Sequence, residues 1–264
     1  MDRWNCNTMS SQEVFRTAYR GRQTPLHHVA YLRMSKVLLA RYLLSAAAIS
    51  LQGKTIFDYG FGAGTFFRYC PPTAALSGVE IDPVAVREVQ QMCVRRGHKE
   101  VQLQPIEVEH WKEHRLLQKQ YDVFLCSHVL EHLIDPLSFL RRAAQCLTAN
   151  GVFVGLVPIN ELQQNIHHVQ TVDRCVVERW MAECGLRLQI YLEADPWNYW
   201  VQPLFTSDEG SLPKWRHLGA QAFSLMVGIP ATLIGPRGWM KLSRWFGRLT
   251  FSKPSQAAFL ASRP

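Results

Sequence analysis

No acidic residue occurs after Glu209, while Lys214, Arg216, Arg237, Lys241, Arg244, Arg248, Lys253 and Arg263 all lie beyond it. The chain's 29 Lys+Arg and 21 Asp+Glu give a net charge of +8, so these residues account for the whole excess. A field of one sign suggests an acidic partner: an anionic substrate, a membrane surface or nucleic acid. Nothing here resembles a nucleic-acid-binding module, so nucleic acid is not the expected partner. Cysteine is sparse and unpatterned: Cys6, Cys70, Cys93, Cys126, Cys146, Cys175 and Cys184 are odd in number and never form C-x-x-C. That spacing argues against a disulfide framework or a zinc knuckle and for reduced, mostly buried thiols. Met1–Ser11 is polar and lacks the apolar segment of an export signal, so a cytoplasmic address is expected. The longest apolar stretch near the C-terminus, Ala222–Gly235, is interrupted by Gly228 and Pro230. It is shorter than the roughly 20 residues a spanning helix needs. The glycine turn after the first strand is not followed by G-K-[ST], so it is not read as a triphosphate P-loop. There is also no internal repeat and no low-complexity segment.

What is present is an ordinary globular composition, 47% apolar and 19% charged over 264 residues, enough for a sizeable core. The N-terminal stretch to about Pro25 is polar. A helical apolar pattern then runs from Leu26 to Ala48, through Val29, Leu32, Val37, Leu38, Tyr42 and Leu43, with Arg33, Lys36 and Arg41 interspersed. Strands are expected at Thr55–Tyr59, Ala75–Glu80, Val101–Ile106, Tyr121–Ser127, Val152–Val157 and Arg187–Leu192. Helices fall between them: one opened by Asp82-Pro83, one from His128 to Leu133, one from Pro136 to Leu147, and one over Thr171–Cys184. Such alternation predicts an α/β fold, a doubly wound and mostly parallel sheet whose ligands sit outside the strands' carboxyl ends. Residues 195–250 break the alternation and crowd Trp197, Tyr199, Trp200, Trp215, Trp239 and Trp245. The domain reading is a lead-in and helix over 1–54, a core over 55–194 and a Trp-rich basic cap over 195–264, with Gln256–Ser262 returning as a last strand.

The chemistry concentrates at Thr55-Ile56-Phe57-Asp58-Tyr59-Gly60-Phe61-Gly62-Ala63-Gly64, a strand ending near a carboxylate and then three alternating glycines. Such a turn lets a ligand lie against bare backbone, and the helix after it points unpaired N–H groups into the crevice. The dinucleotide pattern G-x-G-x-x-G is not met. Asp58 stands before the turn and Glu80 ends the next strand, which suits a ribose and a positive or zwitterionic tail better than phosphates.

These residues resemble a family. The glycine segment, Gly78-Val79-Glu80-Ile81-Asp82-Pro83, Tyr121-Asp122-Val123, His128-Val129-Leu130-Glu131-His132-Leu133-Ile134-Asp135-Pro136 and Leu147 to Val157 are similar, in order, to class I S-adenosylmethionine-dependent methyltransferases. The likeness is to the small-molecule branch that includes quinone-biosynthesis enzymes, and it covers roughly residues 50–195. The resemblance implies a seven-stranded Rossmann-like sheet whose last strand lies antiparallel beside the fifth. It implies S-adenosyl-L-methionine as cofactor. Asp58, Tyr59, Gly60, Phe61, Gly62 and Gly64 would hold its methionine part, Glu80 and Ile81 its ribose, and Glu107 and Val108 its adenine. Ser127 and His128 would face the sulfonium.

Other readings of the same residues bear on the site. His128-Val129-Leu130-Glu131-His132 is formally H-x-x-E-H, which on a helix could bind zinc for a hydrolase. No third ligand segment suggests itself, and no metal is expected. His167-His168 could face the substrate as a proton acceptor, and His128 and His168 are the candidate catalytic residues. His27-His28 is a weaker candidate of the same kind. The basic stretch 239–249 reads as an amphipathic helix with Leu242, Trp245, Phe246 and Leu249 on one face. That face either packs on the domain or makes a peripheral membrane contact. The expected activity is methyl transfer to a small-molecule or lipid-like acceptor, and the basic end suggests an anionic or lipid-associated one. A catalytically silent binding module of the same fold is the other reading.

Overall fold

The computed structural model describes residues 25–161, 168–195 and 214–264. Two helices lead in, α1 (Pro25–Val29) and α2 (Tyr31–Ala46), followed by β1 (Thr55–Tyr59) and a single helical turn, α3 (Thr65–Arg68). Next come β2 (Ala75–Glu80), α4 (Pro83–Arg95), β3 (Val101–Pro105) and β4 (Tyr121–Ser127). The chain continues through α5 (Pro136–Gln145), β5 (Leu147–Pro158), α6 (Arg174–Glu183) and β6 (Arg187–Ala194). It ends with the long α7 (Lys214–Thr250) and β7 (Gln256–Ser262). The strands form one sheet in the order β3-β2-β1-β4-β5-β7-β6. The pairs from β3 to β5 are parallel, while β7 runs antiparallel to both β5 and β6.

Apolar residues on both faces of the central strands explain why helices cover both sides. One layer packs Ile56, Leu76, Val123, Val154 and Leu260 against α2, α4 and α7. The other packs Phe57, Val79, Phe124, Phe153 and Phe259 against α5 and α6. The predicted cap is present: Asp82 accepts from the Val84 N–H, with Pro83 in the first helical position; Asp135 and Asp173 also cap their helices, accepting from the Ser138 and Val176 N–H groups. The strand order reverses between β1 and β4, so the crevice for ligands opens above the carboxyl ends of those strands.

The structure differs from expectation in four places. The single first helix is broken at Ala30, which adopts extended backbone. β5 begins at Leu147, five residues before Val152, and the register shifts opposite β4 between Tyr121 and Val123. No α-helix follows β4: His128 has φ 55, and only a 3-10 turn, Leu130–His132, comes after it. α7 is kinked at Gly235 (φ 69), just ahead of Pro236. Its buried face is Trp239, Met240 and Ser243, with Trp239 edge-on to Tyr31 at 5.8 Å. Leu242, Trp245 and Leu249 are exposed, so of the two readings of that face it is packing on the domain that the structure does not give. Trp197, Tyr199, Trp200 and His167 lie outside the described residues.

Candidate active site

β1 delivers Asp58 to the crevice and the turn after it supplies the floor. Gly64 (φ 67) caps α3 in a left-handed conformation, and a β-carbon there would overlap the Val89 side chain. Gly60 (φ 72) is equally constrained, because its β-carbon would stand 2.8 Å from a Val129 methyl. These two positions therefore need glycine for space as well as for backbone angle. His28 braces the turn from α1, its Nδ1 3.1 Å from the Thr65 hydroxyl. Burial, then Arg68 and Arg33, pulls this imidazole down to about 4, so it is neutral and structural.

A cavity of about 100 Å³ opens beside the turn, lined by Arg33, Lys36, Asp58, Gly60, Gly62 and Ser127 among others. It is smaller than the roughly 300 Å³ or more of a whole small-molecule pocket, a size suited to one end of a ligand. Asp58 is 4% exposed, and its Oδ1 has no hydrogen-bond partner. Burial, and after it the charge of Glu80, raises the Asp58 carboxyl well above the usual carboxylate range. An ammonium arriving beside it would restore the charged form. On another wall stand Arg33 and Lys36, the latter held down to about 8 by burial. A buried carboxyl group and two cations lining one cavity are complementary to a zwitterion, the form an amino acid takes.

Glu80 sits across the turn, outside the cavity. Its Oε2 accepts the Gly62 N–H at 2.7 Å and its Oε1 accepts the Ile81 N–H at 2.8 Å. Burial raises its pKa while the N–H groups of Gly62, Ile81 and Asp82 oppose the rise. Each oxygen keeps acceptor capacity for a hydroxyl. The Ile106 N–H donates to the Glu80 carbonyl, which brings the exposed Glu107 and the following Val108 to the end of the neighbouring strand. Glu107 does not line the cavity. Phe61 lines it and packs on Phe67, whereas the Tyr59 ring lies in the opposite layer, 4.7 Å from Phe139. Tyr59 can therefore contribute backbone only.

At the other end of the crevice β4 stops at Ser127, whose buried hydroxyl has no partner and lines the cavity. His128 follows in left-handed backbone, a conformation that costs a β-carbon-bearing residue roughly 1–2 kcal/mol. Its Nε2 lies 3.3 Å from Gln256 Oε1, so the amide oxygen accepts from that nitrogen. The Gln256 amide donates in turn to Asp195 Oδ2 and to Ser35 Oγ. Burial, then Lys36, keeps His128 well below its ordinary value, hence neutral. Burial raises Asp195 to about 7, with the Gln256 bond opposing. His168 lies beside Glu131 and His132, its Nδ1 2.7 Å from Glu161 and its ring 4.8 Å from that of His132. Glu131, between the histidines, is 1% exposed.

Sequence reasoning thus names the glycine turn, Asp58, Glu80, Ser127 and His128 in places where the structure gathers them. It passes over Arg33, Lys36, Asp195 and Gln256 as site residues. Only the cationic spacing in α2 hinted at the first two. The zinc-hydrolase reading loses the helix it needs, and no observation favours a silent binding module.

Comparison with known proteins follows the same lines. A family model described as a methyltransferase domain matches residues 30–204. The ubiquinone biosynthesis O-methyltransferase of Vibrio vulnificus (strain YJ016) is 28% identical over 132 residues, 50% of this chain and 52% of that protein. The protein of the same name from Rhodopseudomonas palustris (strain TIE-1) is 28% identical over 141 residues, 51% of this chain and 53% of that one. The chain spans about half the length of the curated relatives it matches. Coclaurine N-methyltransferase, solved with N-methylheliamine and SAH, shares the fold with a TM-score of 0.57 at 10% identity, over 96% of this chain and 87% of that one. The charged cavity, the glycine turn and Glu80 fit S-adenosyl-L-methionine, and the chain belongs to the methyltransferase-domain family, as a class I S-adenosylmethionine-dependent methyltransferase.

Proposed function

We propose that the protein methylates a ring hydroxyl of a lipid-soluble quinone precursor while resting on a membrane surface. The observation that carries this reading is the outer face of α7. Leu233 (81% exposed), Trp245 and Leu249 (58% each) stand out from it, and Phe251 (92%) follows directly. Exposed Arg237, Lys241, Arg244 and Arg248 lie among them. Apolar side chains ringed by cations suit an interface with anionic lipid. No described helix is long and apolar enough to cross a membrane. The names of the curated relatives support oxygen as the acceptor atom.

The cofactor, when bound, supplies an electrophilic methyl on a sulfonium. Asp58, Arg33 and Lys36 would take its charged end, and Glu80 its ribose hydroxyls. Ser127 would line the reacting end. Alignment of the reactants is worth on the order of 7–11 kcal/mol in such sites, and the rigid strand ends provide it. His128, neutral and fixed through Gln256, has the protonation state a proton acceptor needs.

Labelled methyl transfer into fractionated membrane lipids, metabolites and proteins tests the reading. Label is expected in an ether-linked methyl of the lipid fraction. Label confined to amines or to protein would sink it.

A further inference from the structure

We propose that Glu131, His132 and His168 form a binding site for a divalent transition-metal ion beside the acceptor end of the crevice. Glu131 is buried at 1% exposure, and neither of its carboxylate oxygens has a hydrogen-bond partner. A buried carboxylate left in that state is costly, and a cation is the partner that relieves it. One ligand atom from each of the three residues lies within 4.8 Å of the others, and His132 Nε2 is already 4.0 Å from Glu131 Oε1. A metal about 2.0–2.2 Å from each ligand separates ligand atoms by roughly 3–4 Å, so small side-chain rotations complete the arrangement.

The surroundings hold the ligands in place. The Val169 and Gln170 N–H groups donate to the Glu131 carbonyl at 2.9 and 3.1 Å, which ties the His168 segment to the 3-10 turn. Glu161 accepts at His168 Nδ1, the carboxylate–histidine arrangement that orients metal-bound imidazoles. His128 Nδ1 stands 3.5 Å from Glu131 Oε1, and Lys36 adds charge nearby without an ion pair to it. Two imidazoles and one carboxylate suit zinc, manganese or cobalt better than magnesium or calcium, and three protein ligands leave positions open.

An acceptor hydroxyl bound at an open position would give up its proton to solvent more readily. Its oxygen lone pair would then form the new C–O bond as the methyl–sulfur bond breaks and sulfur keeps the electron pair. That role rests on the proposed O-methylation; metal binding does not.

Titration of the chelator-stripped, untagged chain with Co2+ is the test. One equivalent is expected to bind with visible absorption, and Zn2+ is expected to displace it. Glu131→Gln and His168→Gln should each weaken binding at least about 10-fold, and Glu161→Gln should weaken it less. Circular dichroism and the thermal shift with S-adenosylhomocysteine report folding in each variant. Co2+ held no tighter by wild type than by the Glu131→Gln/His168→Gln double variant overturns the site, as does a spectrum the substitutions leave unchanged. Methyl transfer that survives chelation overturns the acceptor role. Intact Co2+ binding with no methylated phenol would count against the proposed acceptor and leave the site standing.

Discussion

The two ends of the crevice are built in different ways. The cofactor end comes from one continuous stretch, Asp58 to Gly64, closed by Glu80 from the adjacent strand, and backbone geometry does most of the work. The acceptor end is assembled across the chain: Ser35 from α2, His128 and Glu131 after β4, His168 before α6, Asp195 after β6 and Gln256 from β7. Local backbone constraints allow little change without loss of binding. A long-range side-chain network can be altered piece by piece.

The sharpest way to break this comparison is Gly64→Val. A branched side chain would have to adopt φ 67 and enter space filled by Val89. The left-handed cost of about 1–2 kcal/mol then adds to steric overlap. Stabilisation by S-adenosylhomocysteine, about 2.7 kcal/mol for wild type at 100 times its dissociation constant, is expected to vanish. A normal shift in this variant would show that the turn does not cradle the ligand.

Gln256→Leu probes the opposite end. It removes the partner of the buried Asp195 and of His128 together. Chemical denaturation should show a loss of about 1–3 kcal/mol, while affinity for S-adenosylhomocysteine stays within about twofold. An equal loss of affinity would mean the two ends are not separable.

This difference also explains what the sequence reveals. A turn that needs glycine at fixed spacing, and a carboxylate at the end of each of two adjacent strands, is local information, so Asp58, Gly60, Gly64 and Glu80 are legible directly. The sheet is legible for a similar reason, since alternation and caps such as Asp82-Pro83 are local. His168 and Glu131 are 37 residues apart in the chain, and long-range contacts such as the hydrogen bonds of Val169 and Gln170 to the Glu131 carbonyl bring them together. A third ligand beside Glu131 and His132, as proposed above, would come from another segment, which spacing within H-x-x-E-H cannot show. Helical periodicity groups Leu242, Trp245 and Leu249 on one face of α7 but does not say which face is buried. The kink at Gly235 and the docking of Trp239 on Tyr31 set its rotation, and neither can be read from period alone.

A smaller effect is expected from pH at the cofactor end. The His28 cation is disfavoured in the fold, with its value lowered to about 4 from an ordinary 6.5. The unfolded chain therefore binds the extra proton between those limits, and stability falls as pH drops from 6.5 towards 4. His28→Gln should make that part of the stability profile less steep, the remaining slope belonging to other buried imidazoles such as His128. An unchanged slope in the variant would place the titration on another group.

The smallest change in the folded protein, and the most selective one, should come from α7. Leu233 and Trp245 are exposed and support no described packing, so Leu233→Glu/Trp245→Glu is expected to alter stability by no more than about 0.5 kcal/mol per site. On an anionic vesicle the same two changes remove apolar contact and add repulsion where Arg237, Lys241, Arg244 and Arg248 favour binding. Flotation with phosphatidylserine vesicles should recover wild type and leave the variant in solution, and high salt should weaken the wild-type signal. If a water-soluble phenol is methylated at the same rate by both proteins while only wild type methylates a vesicle-borne one, the helix delivers the acceptor and the crevice does the chemistry. Equal flotation of the two proteins would instead remove the membrane from the function and leave the acceptor end to select its substrate from solution.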